Sequence, residues 1–310
     1  MQLFKRTEKL MGCTFTLGIK HQNEPFALQQ LQAGVDEIKR LENLLSEFIP
    51  TSDVSLINKN ASHEPIVVAP ETFALLERCE AISNLTLGDF DITTKALKSI
   101  YSFKNQDFKF PEKRILEEAF QCVGYQYLTL NSAERTLRIN KNGVQISFAA
   151  IGKGFASDMV KRLWIKGGIS SAFIDASGDL NAFGTNIDDK PFSVGIAKPE
   201  KPDQALLNIP ISNAAVATSG DYEQHFTFKG KRYSHNINPK TGLPISGIKS
   251  VTVIAPSAEL ADALATAVYV KGIKSGLSFV AQLPQTHAVI IDDRNQIHFS
   301  KNINYEAVAV

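Results

Sequence analysis

The sequence predicts an α+β fold, with largely antiparallel sheets flanked by helices. Three observations carry that expectation. Residues 127–140 read as a β-hairpin, two alternating segments around a Ser132-Ala133-Glu134 turn. Strand-like segments follow one another through the second half of the chain with one clear helix among them. The strongly periodic helices stand singly, so no regular βαβ series forms.

Taken in order, residues 14–20 (TFTLGIK) alternate and are rich in β-formers, and Asn23 and Pro25 break the strand. Over residues 27–48, Leu28, Leu31, Val35, Ile38, Leu41, Leu44 and Leu45 recur at three- and four-residue steps, which predicts an amphipathic helix. The Pro50-Thr51-Ser52-Asp53 cluster is a turn, with Ser52 or Asp53 placed to cap a short segment up to Asn58. Residues 70–87 form a second helix on Phe73, Leu75, Leu76, Cys79 and Ile82, stopped by Gly88. The polar, basic stretch 101–114 reads as a loop or insertion. After the hairpin, Asn142-Gly143 precedes a third strand at 144–148, and the glycines at 152 and 154 precede a helix at 155–164 with a basic exit. Strands are expected at 171–174, 192–196, 205–211, 214–218, 226–228 and 250–254. A last helix spans 258–270 and ends at Gly272.

Length and charge narrow the function. At roughly 150 residues per domain, 310 residues make two domains or one unit with two lobes. Lys plus Arg number 33 against 32 Asp plus Glu, a net charge of +1. That balance argues against a nucleic-acid surface, which needs a basic stripe to displace counterions. Cys13, Cys79 and Cys122 form no C-x-x-C pair, which argues against a disulfide framework or structural zinc. No apolar run approaches the roughly 18 residues of a membrane span, and no signal-like run opens the chain. A cytoplasmic protein is expected, or a periplasmic one where a leader has been removed.

Four motifs have the residue types for chemistry. Ala149-Ala150-Ile151-Gly152-Lys153-Gly154 lies between a strand and a helix, where backbone amides and a lysine can receive an anion, or where the chain simply turns. It is not a Walker A loop, lacking both the spacing and the Ser/Thr after lysine. Asp175 and Asp179 flank Ala-Ser-Gly and suit a metal, a ribose hydroxyl or an Asx turn. His235 stands before the Asn-Pro-Lys-Thr-Gly turn among Ser, Asn, Lys and Thr, facing a ligand or buried as structure. On the last helix Ser257 is placed as N-cap, and Asp262 and Thr266 share a face one turn apart. Their two oxygens can hold one hard cation such as magnesium. Otherwise Asp262 faces solvent and Thr266 bonds back to a carbonyl.

The wording and order of these motifs resemble the ApbE family of FAD:protein FMN transferases. The resemblance rests on TSGDYEQHFTFKGKRYSHNINPKTGLP and SVTVIAPSAELADALATAVYVKG, preceded in order by LMGCTFTLGI, LLSEFIPTSDVSLIN, GDFDITT, ISFAAIGKGFASD and FIDASGDLNAFG. It spans about Lys9 to Gln296. It implies a T-fold-like catalytic unit over residues 1–310. The implied reaction is Mg2+-dependent transfer of FMN from FAD to a threonine hydroxyl of an acceptor flavoprotein, with AMP released. An FAD pyrophosphatase or a non-catalytic FAD-binding protein is the alternative.

By the same resemblance the metal ligands fall on Asp262, Thr266 and the carbonyl of Ala150. Flavin-binding positions fall on Met11, Phe48, Asp89, Phe90, Asp91, Ser147, Lys153 and Ile237. His235, with Asp262, is implied in catalysis, the histidine for proton transfer. The chain departs from the family pattern at Ser147 and Asn238, where aspartate is usual, at Cys13 in place of threonine, and at Phe48, where tyrosine is common.

Overall fold

The computed structural model describes residues 1–103, 110–198, 201–221 and 225–307, with side chains omitted at 201–203 and 307. It opens on a hairpin of β1 (Gln2–Leu10) and β2 (Cys13–His21), paired from Gln2↔His21 to Leu10↔Cys13. The sequence signals only the second strand. β1 lies at a sheet edge and carries Lys5, Arg6, Glu8 and Lys9, the charges that protect an edge from further pairing and that obscure its strand pattern.

Helix α1 (Glu24–Leu45) starts at Asn23, whose side chain accepts from the Phe26 amide at 3.0 Å, and buries Leu31, Val35, Ile38 and Leu41. It was expected to reach Phe48. It stops earlier because Ser46 is extended and its carbonyl accepts the Ser52 hydroxyl at 2.5 Å, which turns Phe48 out of the helix. Ser52 caps α2 (Asp53–Asn60) through the Ser55 amide, while Asp53 accepts from Ala69 N. β3 (Ile66–Val67) leads to α3 (Pro70–Thr86), which closes on a left-handed Leu87 with Gly88 N donating to Ser83 O. Next come α4 (Lys95–Ser99) and α5 (Lys113–Phe120). The loop expected at 101–114 lies outside the described residues over 104–109, and its last two residues open α5.

The expected hairpin is present as β4 (Leu128–Asn131) and β5 (Thr136–Ile139). The strand expected at 144–148 is not: the segment joins no ladder. Val144, Ile146 and Phe148 do alternate into the core. The side-chain amide of Asn58, however, takes the place of a neighbouring strand, accepting from Ile146 N at 2.7 Å and donating to its carbonyl at 2.9 Å. α6 (Gly152–Lys166) includes both glycines in its first turn.

The rest of the chain is strand-rich: β6 (Ala172–Ala176), β7 (Asp179–Phe183), β8 (Phe192–Lys198), β9 (Lys201–Ile211), β10 (Ala214–Gly220), β11 (His225–Phe228), β12 (Lys231–Ile237), β13 (Pro244–Ser246) and β14 (Ile248–Ala255). Helices α7 (Ala258–Lys271) and α8 (Ile273–Val280) precede β15 (His287–Asp292), β16 (Ile297–Phe299) and β17 (Glu306–Ala307).

The frame is an eight-stranded sheet in the order β1-β2-β6-β7-β10-β14-β15-β16, antiparallel throughout. Both of its faces are covered. Along β14 and β15, Val251, Val253, Ala288 and Ile290 pack with α7, whereas Ile254, Val289 and Ile291 pack with Leu207 and Ile209 of the β17-β9-β8 sheet. Successive side chains leave a strand on opposite faces, so a doubly covered sheet buries β14 along its whole length, Lys249, Ser250 and Thr252 included. This is the predicted α+β class with antiparallel sheets and flanking helices. No helix among the described residues is long and apolar enough to cross a membrane.

Candidate active site

Every residue that the resemblance singles out lines one cleft of about 880 Å³: Met11, Phe48, Asp89, Phe90, Asp91, Ser147, Ala150, Lys153, His235, Ile237, Asp262 and Thr266. They do not all present a free side chain to it. Phe90 and Ile237 are buried in apolar clusters. Asp89 pairs with Lys240 at 2.7 Å and Lys271 at 2.5 Å. Asp91 accepts from the amide and hydroxyl of Thr93 and from the Tyr125 amide, which fixes the turn after α3. The Ser147 hydroxyl accepts from Ala149 N at 3.3 Å.

The rim is apolar and strained. Phe48 is 85% exposed on the loop after α1. Met11 and Gly12 form the two-residue β1–β2 turn with φ of 51° and 76°. Such turns need positive φ, which a methionine adopts only at a cost.

The centre is polar and built where α6 meets α7. Gly154 permits the contact, because a Cβ there would lie 2.3 Å from the Ala258 carbonyl oxygen. The second glycine of the motif therefore serves helix packing. Asp158, one turn further on, accepts from the amides of Ala258 and Glu259 and from the Asn181 side chain. With Ser257, which accepts from Leu260 N, it caps α7.

So held, α7 presents Asp262 and Thr266 to the cleft. Burial pushes the Asp262 carboxyl up to about 7, against the pull of Lys153 and with the help of nearby Asp179. Oδ2 of Asp262 takes only a long, 3.4 Å bond from Gly154 N. Thr266 shares a 3.3 Å contact with the Ser219 hydroxyl. Gly154 N thus donates to Asp262, and the Ala150 carbonyl accepts no hydrogen bond among the described residues.

Lys153 pairs with Asp179 at 2.8 Å. Burial opposes its charge, but Asp179 and Asp262 outweigh that and hold the ammonium above the ordinary lysine value. The DASGD motif is thereby divided. Asp175 accepts from Gly178 N at 2.7 Å to make the turn, while Asp179 faces the cleft and also accepts from Thr218 N. His235 lies on β12, half-buried, its ring edge-on to Phe103 at 6.5 Å between centroids. Sequence reasoning left Asp179 undecided and missed Asp158, although an aspartate set among Phe155, Ala156, Met159 and Val160 of a helix is a signal that could have marked it. Lys98 of α4 also lines the cleft, and no motif pointed to it.

The cleft brings together a buried carboxylate, a lysine and a histidine, groups suited to catalysis. The model of the ApbE family matches residues 11–291, and the chain belongs to that family. It is 29% identical over 290 residues to a Vibrio cholerae protein named FAD:protein FMN transferase, covering 91% of this chain and 86% of the relative. Among solved structures it resembles an ApbE protein of Thermotoga maritima, with a TM-score of 0.88, 29% identity and 97% of each chain covered. It also resembles the flavinyl transferase ApbE of Pseudomonas stutzeri, with a TM-score of 0.84, 25% identity and coverage of 96% and 94%.

Proposed function

We propose that the protein transfers FMN from FAD to a threonine hydroxyl of an acceptor protein, with magnesium as its metal and AMP as leaving group. Relatives named FAD:protein FMN transferase support the reaction class. The observation that carries the finer reading is the oxygen set at the cleft centre: the buried Asp262 carboxylate, the Thr266 hydroxyl and the donor-free Ala150 carbonyl. No cluster of three or more His, Cys, Asp or Glu suited to a metal occurs among the described residues. One carboxylate with neutral oxygens nevertheless fits magnesium, which keeps waters and takes further oxygens from substrate phosphates. Bound there, magnesium would supply charge neutralisation at the pyrophosphate.

The chain's own groups divide the remaining work. Phe48 and the Met11 turn offer apolar surface for the flavin ring. His235 takes the proton of the acceptor threonine as its oxygen bonds to the flavin-side phosphorus and the bond from that phosphorus to AMP breaks. Lys153, aligned by Asp179, adds a fixed positive charge near the same oxygens.

The test is co-expression with candidate acceptors, followed by mass spectrometry for an FMN adduct on threonine. Asp262→Asn is expected to lower transfer by at least about a hundredfold, the scale on which preorganised electrostatic groups act. Undiminished, equally magnesium-dependent transfer by that variant would remove the metal assignment. Rapid AMP release from FAD with no acceptor present would identify a pyrophosphatase instead.

A further inference from the structure

Two lysines line the cleft, Lys98 and Lys153, and they differ in what neutralises them. Lys153 is paired with Asp179. Around the rim the other lysines are paired too: Lys95 with Glu47 at 2.8 Å, and Lys240 and Lys271 with Asp89. The Lys98 side chain makes no ion pair or hydrogen bond among the described residues. It is nonetheless half-buried on α4. Burial pushes its ammonium below the ordinary lysine value, with Glu47 and Asp262 pulling it back. A partly desolvated cation without a partner is unfavourable, and an anion brought into the cleft would relieve it.

Its place in the cleft indicates which anion. Lys98 lines the cleft together with Glu47, next to the rim ring of Phe48, and with Asp262 at its centre. A flavin dinucleotide with its ring at Phe48 and its pyrophosphate at Asp262 sets its flavin-side phosphate between the two. We infer that Lys98 is a substrate-binding residue whose ammonium pairs with the flavin-side phosphate of the bound dinucleotide, an inference that rests on the flavin-transferase reading. The ammonium gives charge recognition of phosphate and none of the isoalloxazine ring. It distinguishes FMN and FAD from unphosphorylated riboflavin.

The experiment is a titration of riboflavin, FMN and FAD, with Mg2+ present, into the wild-type protein, Lys98→Met and Lys98→Arg, followed by flavin fluorescence. Methionine keeps the length and apolar stem of lysine, so the fold is expected to persist, and circular dichroism checks it. Lys98→Met is expected to weaken FMN and FAD at least tenfold, leave riboflavin within twofold, and be largely rescued by Lys98→Arg. FMN and FAD affinities within twofold of wild type, or an equal loss for riboflavin, overturn the inference while the flavin-transferase reading stands. A wild-type protein that binds none of the three overturns both.

Discussion

Phe48 illustrates how a single side chain can be functional without being structural. It is 85% exposed and belongs to none of the apolar clusters, so Phe48→Ala is expected to change folding stability by less than about 0.5 kcal/mol. If its ring stacks on the flavin, the same change weakens FAD binding about five- to tenfold, the equivalent of ~1 kcal/mol. Equal FAD affinity in fluorescence titrations of the two proteins would remove Phe48 from the site. Site residues of this kind were legible because polar or aromatic residues occur where their neighbours give no packing reason for them. Asp262 in an Ala- and Val-rich helix is the clearest case. Lys98 was not legible: the second of two lysines in a polar stretch looks solvated, and only the fold shows that it lines a cleft without a direct ion pair among the described residues.

At the scale of elements, the junction of α6 and α7 places the reactive groups, and Asp158 is its fastener. Its two carboxylate oxygens satisfy Ala258 N at 3.1 Å, Glu259 N at 2.9 Å and the Asn181 amide at 2.7 Å. In Asp158→Asn one oxygen becomes an NH2 group facing donors, a loss of about 1–3 kcal/mol. Burial raises the Asp158 carboxyl, opposed by the Glu259 and Ala258 amides, Lys161 and Asn181. Between the ordinary carboxylate value and the raised native one, the native state therefore binds more protons at this group than the unfolded chain does. The contribution of this group to stability is complete below the ordinary carboxylate value near about 4 and is lost as pH rises through the raised native one. Urea denaturation between those limits is expected to show this decline in the wild type and a flatter profile in Asp158→Asn. Parallel profiles would mean that Asp158 titrates alike folded and unfolded. Helices were the most legible elements because α1 and α3 advertise their buried stripes. β7 and β15 passed unnoticed: one is a short polar-apolar mixture after a Ser-Gly turn, and the other follows Pro284 in a segment with few turn cues. The lost strand at 144–148 shows the converse, since alternation reports burial and not the identity of the hydrogen-bond partner.

For the whole molecule, one cooperative unit is the expectation, and its reason is the strand order. β1 and β2, from the first 21 residues, adjoin β6, and the same sheet ends on β14, β15 and β16. The apolar cluster under α1, α2 and α3 includes Ala263 and Ala267 of α7. Ion pairs tie the halves as well: Arg78 to Glu259 and Asp89 to Lys271, each at 2.5 Å. Residues 1–150 supply only β1 and β2 of that sheet and bury the apolar face of α1 against Val160, Trp164 and Ala172 of the other half, so that fragment alone is expected to be unfolded. The intact chain should lose secondary structure and the fluorescence of its one tryptophan in a single coincident urea transition. Trp164 is a fitting probe, a fully buried residue of α6 packed against α1 with its indole N–H donating to the Gln30 carbonyl at 2.8 Å. The cleft draws residues from Met11 to Thr266, so saturating FAD should displace the whole transition, by about 2.7 kcal/mol at a hundredfold excess over Kd. Two separated transitions, with only one of them moved by FAD, would instead divide the chain into independent domains and confine flavin binding to one of them.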